Sequence, residues 1–203
     1  MTRIFTEFTE LVDSISFEHR TLTAVTRSIS GIRQSLSYGG GFWYLKCTLR
    51  NTNFETSKKI ASFFNSLEGR TEIFKLYLPS HFQSMVYSDS IIIDGANQIG
   101  KNINVKGITA LNQVILKQGD FVKFDNSNKI YQAREDLVSN GIGKGVLKLH
   151  MPLVGNLPND NSHVLIHPYL LDWYVALGSD TLSWDLDYFS RSAFEIELEE
   201  VWN

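Results

Sequence analysis

Apolar and polar positions alternate in twos along most of this chain, and they fall into the helical spacing of three and four at one well-marked place. Residues 51–69 are that place: Ile60, Phe63, Phe64 and Leu67 stand at i, i+3, i+4 and i+7 and form one apolar stripe. Thr52 or Asn53 is suited to cap the helix by accepting an orphan N–H, and Gly69 is suited to supply a left-handed C-cap. Upstream, Phe5, Phe8, Leu11, Val12 and Ile15 fit either one short helix or an extended arm. Residues 22–36 alternate loosely, with Ala24, Thr26 and Ser28 on one side and Val25, Arg27 and Ile29 on the other, and Gly31 marks a candidate bulge. Gly39, Gly40 and Gly41 predict a turn into a strand over 42–49, so these pieces read as a β-hairpin. A strand over 73–78 stops at Pro79.

The pattern then changes. From His81 to His163 the chain predicts short strands separated by Asn, Gly, Asp and Ser turns, with no helical periodicity beyond a turn or two. Within that stretch, residues 114–152 predict a turn at Gly119 and Asp120, an alternating strand over Phe121, Val122, Lys123 and Phe124, and a polar turn at 126–128. A second strand starts at Ile130 and Tyr131, a glycine-rich bend covers 140–145, and a last strand closes on Pro152. After Pro168, strands return over 171–177, 182–186 and 194–202. In the last, Phe194, Ile196 and Leu198 alternate with Glu195, Glu197 and Glu199, which predicts one buried face and one acidic, wet face. These pieces predict an α+β, mostly β fold: a discontinuous outer domain at residues 1–79 and 164–203, with an all-β module inserted at residues 80–163. Each part is near the lower size limit for a stable core, so docking or oligomerisation would help both.

Composition sharpens this further. Apolar residues make up 43% of the 203 positions and charged residues 20%, enough apolar material for a core. Thirteen Phe, eight Tyr and four Trp favour strands over helices. The net charge of −3 and the lack of a Lys/Arg cluster disfavour nucleic acid as a partner. Cys47 is the one cysteine, so neither an internal disulfide nor a cysteine metal site is expected. The acidic, mixed N-terminal segment does not read as a signal peptide, and no apolar run approaches the ~18 residues needed to span a bilayer. Synthesis and folding in a reducing cytoplasm are expected.

Several residues invite chemistry, and each has a plainer reading. Gly95 to Gly100 with Lys101 matches the spacing of a phosphate loop, but Asn102 replaces the Ser or Thr that would hold magnesium, and a strand follows where a helix is required. A hairpin turn is favoured there. Gly141, Gly143 and Gly145 lack a strand–turn–helix setting and read as a turn. His163 and His167 would share a face of a strand, suiting two metal ligands, yet boundary histidines facing solvent are favoured and no metal is expected. Asp120 with Glu135 and Asp136 resembles a glycosidase carboxylate pair only loosely; turn chemistry is favoured for Asp120. Cys47 sits on a predicted strand without a His or Asn partner and reads as a small buried apolar group. Tyr87 and Tyr131 are candidates for stacking on sugars or, less favourably, bases. No catalytic residue, cofactor or metal is expected, because no group of residues supplies nucleophile, base and orienter together.

The order of elements resembles the distal tail proteins of long-tailed siphophages, of the tequintavirus type. The features that bear the resemblance are the hairpin and helix before IFKLYLP (73–79), the insert with KQGDFVKF and KIYQAREDLVSNGIGKGVLKLHMPL, the strand LLDWYVAL, and the terminal FEIELEEVW. The match is specific in residues only over 119–153 and rests on turn and packing positions. The resemblance implies a β-sandwich-and-helix domain with an inserted OB-like β-barrel. It implies a structural, non-enzymatic virion protein forming a homohexameric ring, with the tail tube protein and the tail hub or baseplate protein as partners. Tail fibres or a host-surface glycan are implied as contacts of the barrel. A carbohydrate-binding or other OB-type module is the alternative.

Overall fold

The computed structural model describes residues 2–6, 8–79, 83–84, 90–167, 171–180, 183–186 and 192–202. His81, Tyr87 and Pro168 lie outside them. The chain opens with β1 (Arg3–Ile4) and a single helical turn, α1 (Phe8–Leu11). Two long strands follow, β2 (Val12–Arg27) and β3 (Arg33–Thr52), and then the helix α2 (Phe54–Asn65) and the strand β4 (Phe74–Tyr77). Of the two expectations for the N-terminal segment, the short helix is found, as one turn; the flanking residues are not an arm but sheet strands, β1 on β4 and β2 on β3.

The hairpin differs from expectation. Its turn falls at residues 28–32, not at the three glycines, and the chain runs extended through Gly39, Gly40 and Gly41 inside β3. The Ser28 hydroxyl accepts the Ile32 N–H at 3.2 Å, the Gly31 N–H donates to the Ser28 carbonyl, and Gly31 takes φ +80°. A serine acceptor followed by a left-handed glycine closes the chain more tightly than three extended glycines do. α2 is shorter than expected. Asn53 caps it, accepting the Thr56 N–H at 2.9 Å, but the helix ends at Asn65, and Gly69, although left-handed, lies beyond it.

The insert contributes β5 (Ile92–Ile93), β6 (Asn102–Lys106), β7 (Val114–Leu116), β8 (Phe121–Phe124), β9 (Ile130–Gln132), β10 (Leu137–Val138), β11 (Gly145–Lys148) and β12 (Val164–Leu165). The chain ends through β13 (Asp172–Leu177), β14 (Ser183–Leu186) and β15 (Ser192–Glu200). Strands from both ends of the sequence form one seven-stranded sheet in the order β1-β4-β13-β15-β3-β2, with β14 also on β15. Cross-strand pairs set its faces: Trp173 opposite Leu76, Leu198 opposite Leu45, Ile196 opposite Cys47 and Phe17 opposite Leu45 all point to one side. That side holds the larger core, and α2 covers part of it through Phe63 and Phe64, which meet Phe74 at 5.5 and 5.9 Å. The insert covers another part, so the layer facing the sheet comes from α2 and the insert instead of a second sheet of the outer domain.

The fold is mostly β, as the alternation implied, with two helices among the described residues. The expected barrel is not closed. Among the described residues the insert forms three small sheets, β11-β6-β5, β12-β8-β9 and β10-β7, and the single bridges Ile92–His163 and Ala133–Leu149 link the first two. They enclose a second core that includes Ile93, Ile103, Val105, Val122, Phe124, Tyr131 and Leu147. β8 is buried on both sides: Phe121 packs in the larger core and Val122 and Phe124 in the smaller. Lys123, in phase with Phe121, is buried and pairs with Asp172 of β13.

Candidate functional site

Among the described residues, exposed large apolar side chains gather on the outer half of the hairpin. β3 has β15 as its second neighbour only from Tyr44 to Thr52, so from Gly41 outward β2 and β3 form a two-stranded arm. Ile29, Ile32, Leu36, Leu22 and Val25 on this arm are all at least half exposed. Leu36 stands opposite Ala24, and the two-residue period brings Leu22 to the same side, giving an apolar stripe along one face. Two strands alone are marginal in water, and bare apolar side chains add a further cost. This arm has the character of a surface built to be covered.

Where the arm leaves the body, buried polar groups tie the hairpin to the insert. The Glu200 and Lys129 side chains form an ion pair, both with no exposure. Glu200 also accepts the Trp43 N–H at 3.0 Å and the Ile130 N–H at 2.8 Å, while Lys129 donates to the Gly41 carbonyl at 2.7 Å. Burial pushes the Glu200 carboxyl up and the Lys129 ammonium down, and their attraction opposes both shifts. Trp43 Nε1 donates to the Ile130 carbonyl at 3.1 Å. Beside this cluster His19 and His150 meet edge to face, with ring centroids 4.6 Å apart, and Trp43 lies 4.9 and 5.4 Å from them. Gly41 is obligatory here: a Cβ would lie 2.7 Å from His19 Cε1. Burial, then His19 and Lys129, hold the His150 imidazole down at about 4.

The residues proposed for chemistry are dispersed into local roles. Gly95, Gly100 and Lys101 belong to the loop of the antiparallel β5–β6 hairpin, with no helix after it. Gln98 fills that loop, donating to the carbonyls of Asp94, Gly95 and Asn104 and accepting the Asn104 N–H. Gly143 takes φ +72° in a turn where Asn140 accepts the Ile142 and Lys144 N–H groups. Asp120 is buried with both oxygens engaged, by the N–H groups of Ser84 and Lys117. Glu135 pairs on the surface with Lys148 and Arg134, and Asp136 accepts the Gln118 N–H. Nothing brings these carboxylates into a shared pocket among the described residues. His163 Nδ1 shares a hydrogen with Ser90 Oγ at 2.7 Å, and among the described residues no group of three or more His, Cys, Asp or Glu is placed to hold a metal. Cys47 is in the larger core, where burial pushes its thiol up to about 12.

Tyr131 corrects an expectation. It is buried in the insert, its hydroxyl held by the backbone of Val154 through N–H and carbonyl, so it offers no stacking face. Residue-by-residue reading missed Glu200, His19 and His150. Glu200 could have been found, because it stands in phase with Phe194, Ile196 and Leu198, and so a carboxylate falls on the buried face. His19 and His150 come together only through the packing of the insert, for which local sequence holds no signal. No family model matches the chain, and no curated protein matches it. No helix among the described residues is long and apolar enough to cross a membrane.

Proposed function

We propose that this protein is a structural component of a bacteriophage tail tip, assembling as a homo-oligomeric ring, six-fold by resemblance, that joins the tail tube to the distal hub or baseplate. The observation behind this reading is the two-stranded arm with Leu22, Leu36, Ile29 and Ile32 uncovered. An isolated monomer leaves that arm without support, whereas a second copy packed against it removes its apolar stripe from water. β2 is also the terminal strand of the sheet order, and a long edge strand is a ready template for a neighbour. A heterologous contact of this kind, repeated by rotation, closes into a ring. The assignment of ring, tube and hub rests on the resemblance in element order, and the absence of any grouped catalytic constellation among the described residues is compatible with it.

Sedimentation velocity over a concentration series, followed by negative-stain microscopy, tests the proposal. The expected species is a ring several times the mass of the chain, favoured by concentration and by added tail tube or hub protein. A monomer at every concentration that binds neither partner would sink it.

A further inference from the structure

His150, in the insert just after β11, meets His19 of β2 across the junction between insert and arm, with Trp43 against both rings. One hydrogen bond fixes the proton on His150. The Gln132 N–H donates to His150 Nδ1 at 3.0 Å, and the His150 N–H donates to the Gln132 carbonyl at 3.0 Å. A backbone N–H can only donate, so Nδ1 accepts, and the ring proton of neutral His150 resides on Nε2. A second proton has to go on Nδ1, where it meets the Gln132 N–H donor to donor. Nε2 is closed to solvent and has no hydrogen-bond partner among the described residues, and the same holds for His19 Nε2. A charged His150 in this position would satisfy neither of its ring N–H groups, which is costly in a buried site.

The surroundings give that charge no relief. His19 is a second titrating ring on the facing strand, and Lys101 of the β5–β6 loop adds a positive charge. Lys129, ahead of β9, is neutralised by Glu200 of β15, so the one carboxylate of the cluster is already taken. Tyr131 of β9 turns its hydroxyl to the Val154 backbone. The other side of the insert is held without imidazoles. Gln83 donates to the carbonyls of Phe121 and Ile166 and accepts the Phe121 N–H, and Lys123 pairs with Asp172. We propose that the junction is an acid-released clasp: protonation of His150 expels its ring from between Gln132, His19 and Trp43 and parts the insert from the base of the arm, while Gln83 and Lys123 keep the insert's other side seated. The clasp acts within one chain and is independent of ring assembly.

Hydrogen exchange of the full chain at pH 7 and pH 5, read by mass spectrometry and corrected for the intrinsic pH dependence of exchange, tests it. With His150 held down at about 4 when closed and at its ordinary 6.5 when open, the opening equilibrium is expected to rise about 20-fold from pH 7 to pH 5. The rise is expected in peptides carrying the N–H groups of Gln132 and His150, and not in those carrying Phe121 or Val175. His150→Asn places an amide oxygen where Nδ1 accepts and removes the titration, so it is expected to lose most of the rise. Glu200, whose carboxyl burial pushes up, titrates in the opposite sense and is the same in both chains, so the ratio of parent to variant isolates His150. No rise at the junction of the parent overturns the proposal, whatever the variant does. A rise of equal size at Val175 overturns it too, because acid would then be unfolding the whole chain, as does a rise undiminished in His150→Asn.

Discussion

One pair of strands runs through two different environments. Near its base the β2–β3 hairpin pairs Phe17 with Leu45 and Ile15 with Cys47, and these side chains lie in or against the larger core, with Leu45 wholly buried. Toward its tip the ladder resumes after a shift of register at Thr21; the β2 residues in phase with Ile15 and Phe17 are there Thr23 and Val25, and Val25 is 50% exposed, while on the opposite face Leu36, across from Ala24, is 59% exposed. Alternation therefore specifies which side chains share a face and says nothing about what lies over that face. The base has β15, α2 and the insert as its cover, and the tip has only itself. Covering an apolar side chain of this size contributes about 1.5–3 kcal/mol. The base has collected that stabilisation in the monomer, and the tip would collect it only on assembly.

The sharpest break in the comparison lies at the boundary between the two halves, where Glu200 receives Lys129 and the N–H groups of Trp43 and Ile130. Glu200→Gln leaves the Lys129 ammonium buried without a counter-charge, and destabilisation of about 3–5 kcal/mol is expected by chemical denaturation. Adding Lys129→Met removes the stranded charge and should recover part of that loss. Recovery should be incomplete, because one glutamine oxygen replaces two carboxylate oxygens that met two separate backbone donors. A double variant as stable as the parent would show that those backbone bonds contribute little.

Next comes the base itself. Leu45→Ala empties a fully buried position between β2 and β15, and a loss of about 2–5 kcal/mol is expected from transfer and cavity costs together. Leu36→Ala, the same chemical change on the same strand, removes a side chain already in water. Measured side by side under monomeric conditions, the two should differ several-fold; similar losses would mean that the tip is covered within the monomer.

The histidines at the junction add a pH dependence. His150 is held near 4 in the fold against an ordinary value of 6.5, so between those values the unfolded chain binds the proton more readily. His150 therefore contributes no pH dependence above about 6.5, and stability falls as pH drops toward 4, by up to about 3 kcal/mol in all. His19 is lowered as well, by burial first and Lys129 second, and works in the same direction. Denaturation midpoints at neutral and acidic pH measure the loss. An NMR titration of the His150 ring assigns it to this residue and separates it from surface carboxylates such as Glu135 and Asp94, which hydrogen bonds from Lys148 and Lys144 hold below their ordinary values. A His150 midpoint close to 6.5 would remove this residue from the account.

Much of the sheet was legible in the alternation, because each strand's buried face follows from a period of two that tertiary context does not alter. Trp173, Val175 and Leu177 are cases, as are Phe194, Ile196 and Leu198. The hairpin turn was misplaced because three consecutive glycines resemble a turn, whereas here they lie inside β3 at a shift of its register against β2, with His19 over Gly41. The open insert was not legible: β8 alternates in sequence, but it serves two cores at once, and both its faces are buried. Nor was the meeting of His19 and His150, far apart in the sequence and brought together only by the packing of the insert.

The smallest expected effect on stability is also the one that bears most on assembly. Ile29 and Ile32 lie in the turn, where the Ser28 hydroxyl and the left-handed Gly31 close the chain without help from either side chain. Replacing both isoleucines by Ser should therefore leave the monomer's stability within about 0.5 kcal/mol per position. If a second copy covers the arm, the same double variant loses the apolar area that made the contact favourable, and its sedimentation should shift toward monomer at concentrations where the parent forms rings. Arg27→Ser on the same arm removes a charge and no apolar stripe, so it serves as the control. A double variant that assembles like its parent would leave the arm as an exposed hairpin with no part in the ring, and the contact would have to be sought along the rest of β2.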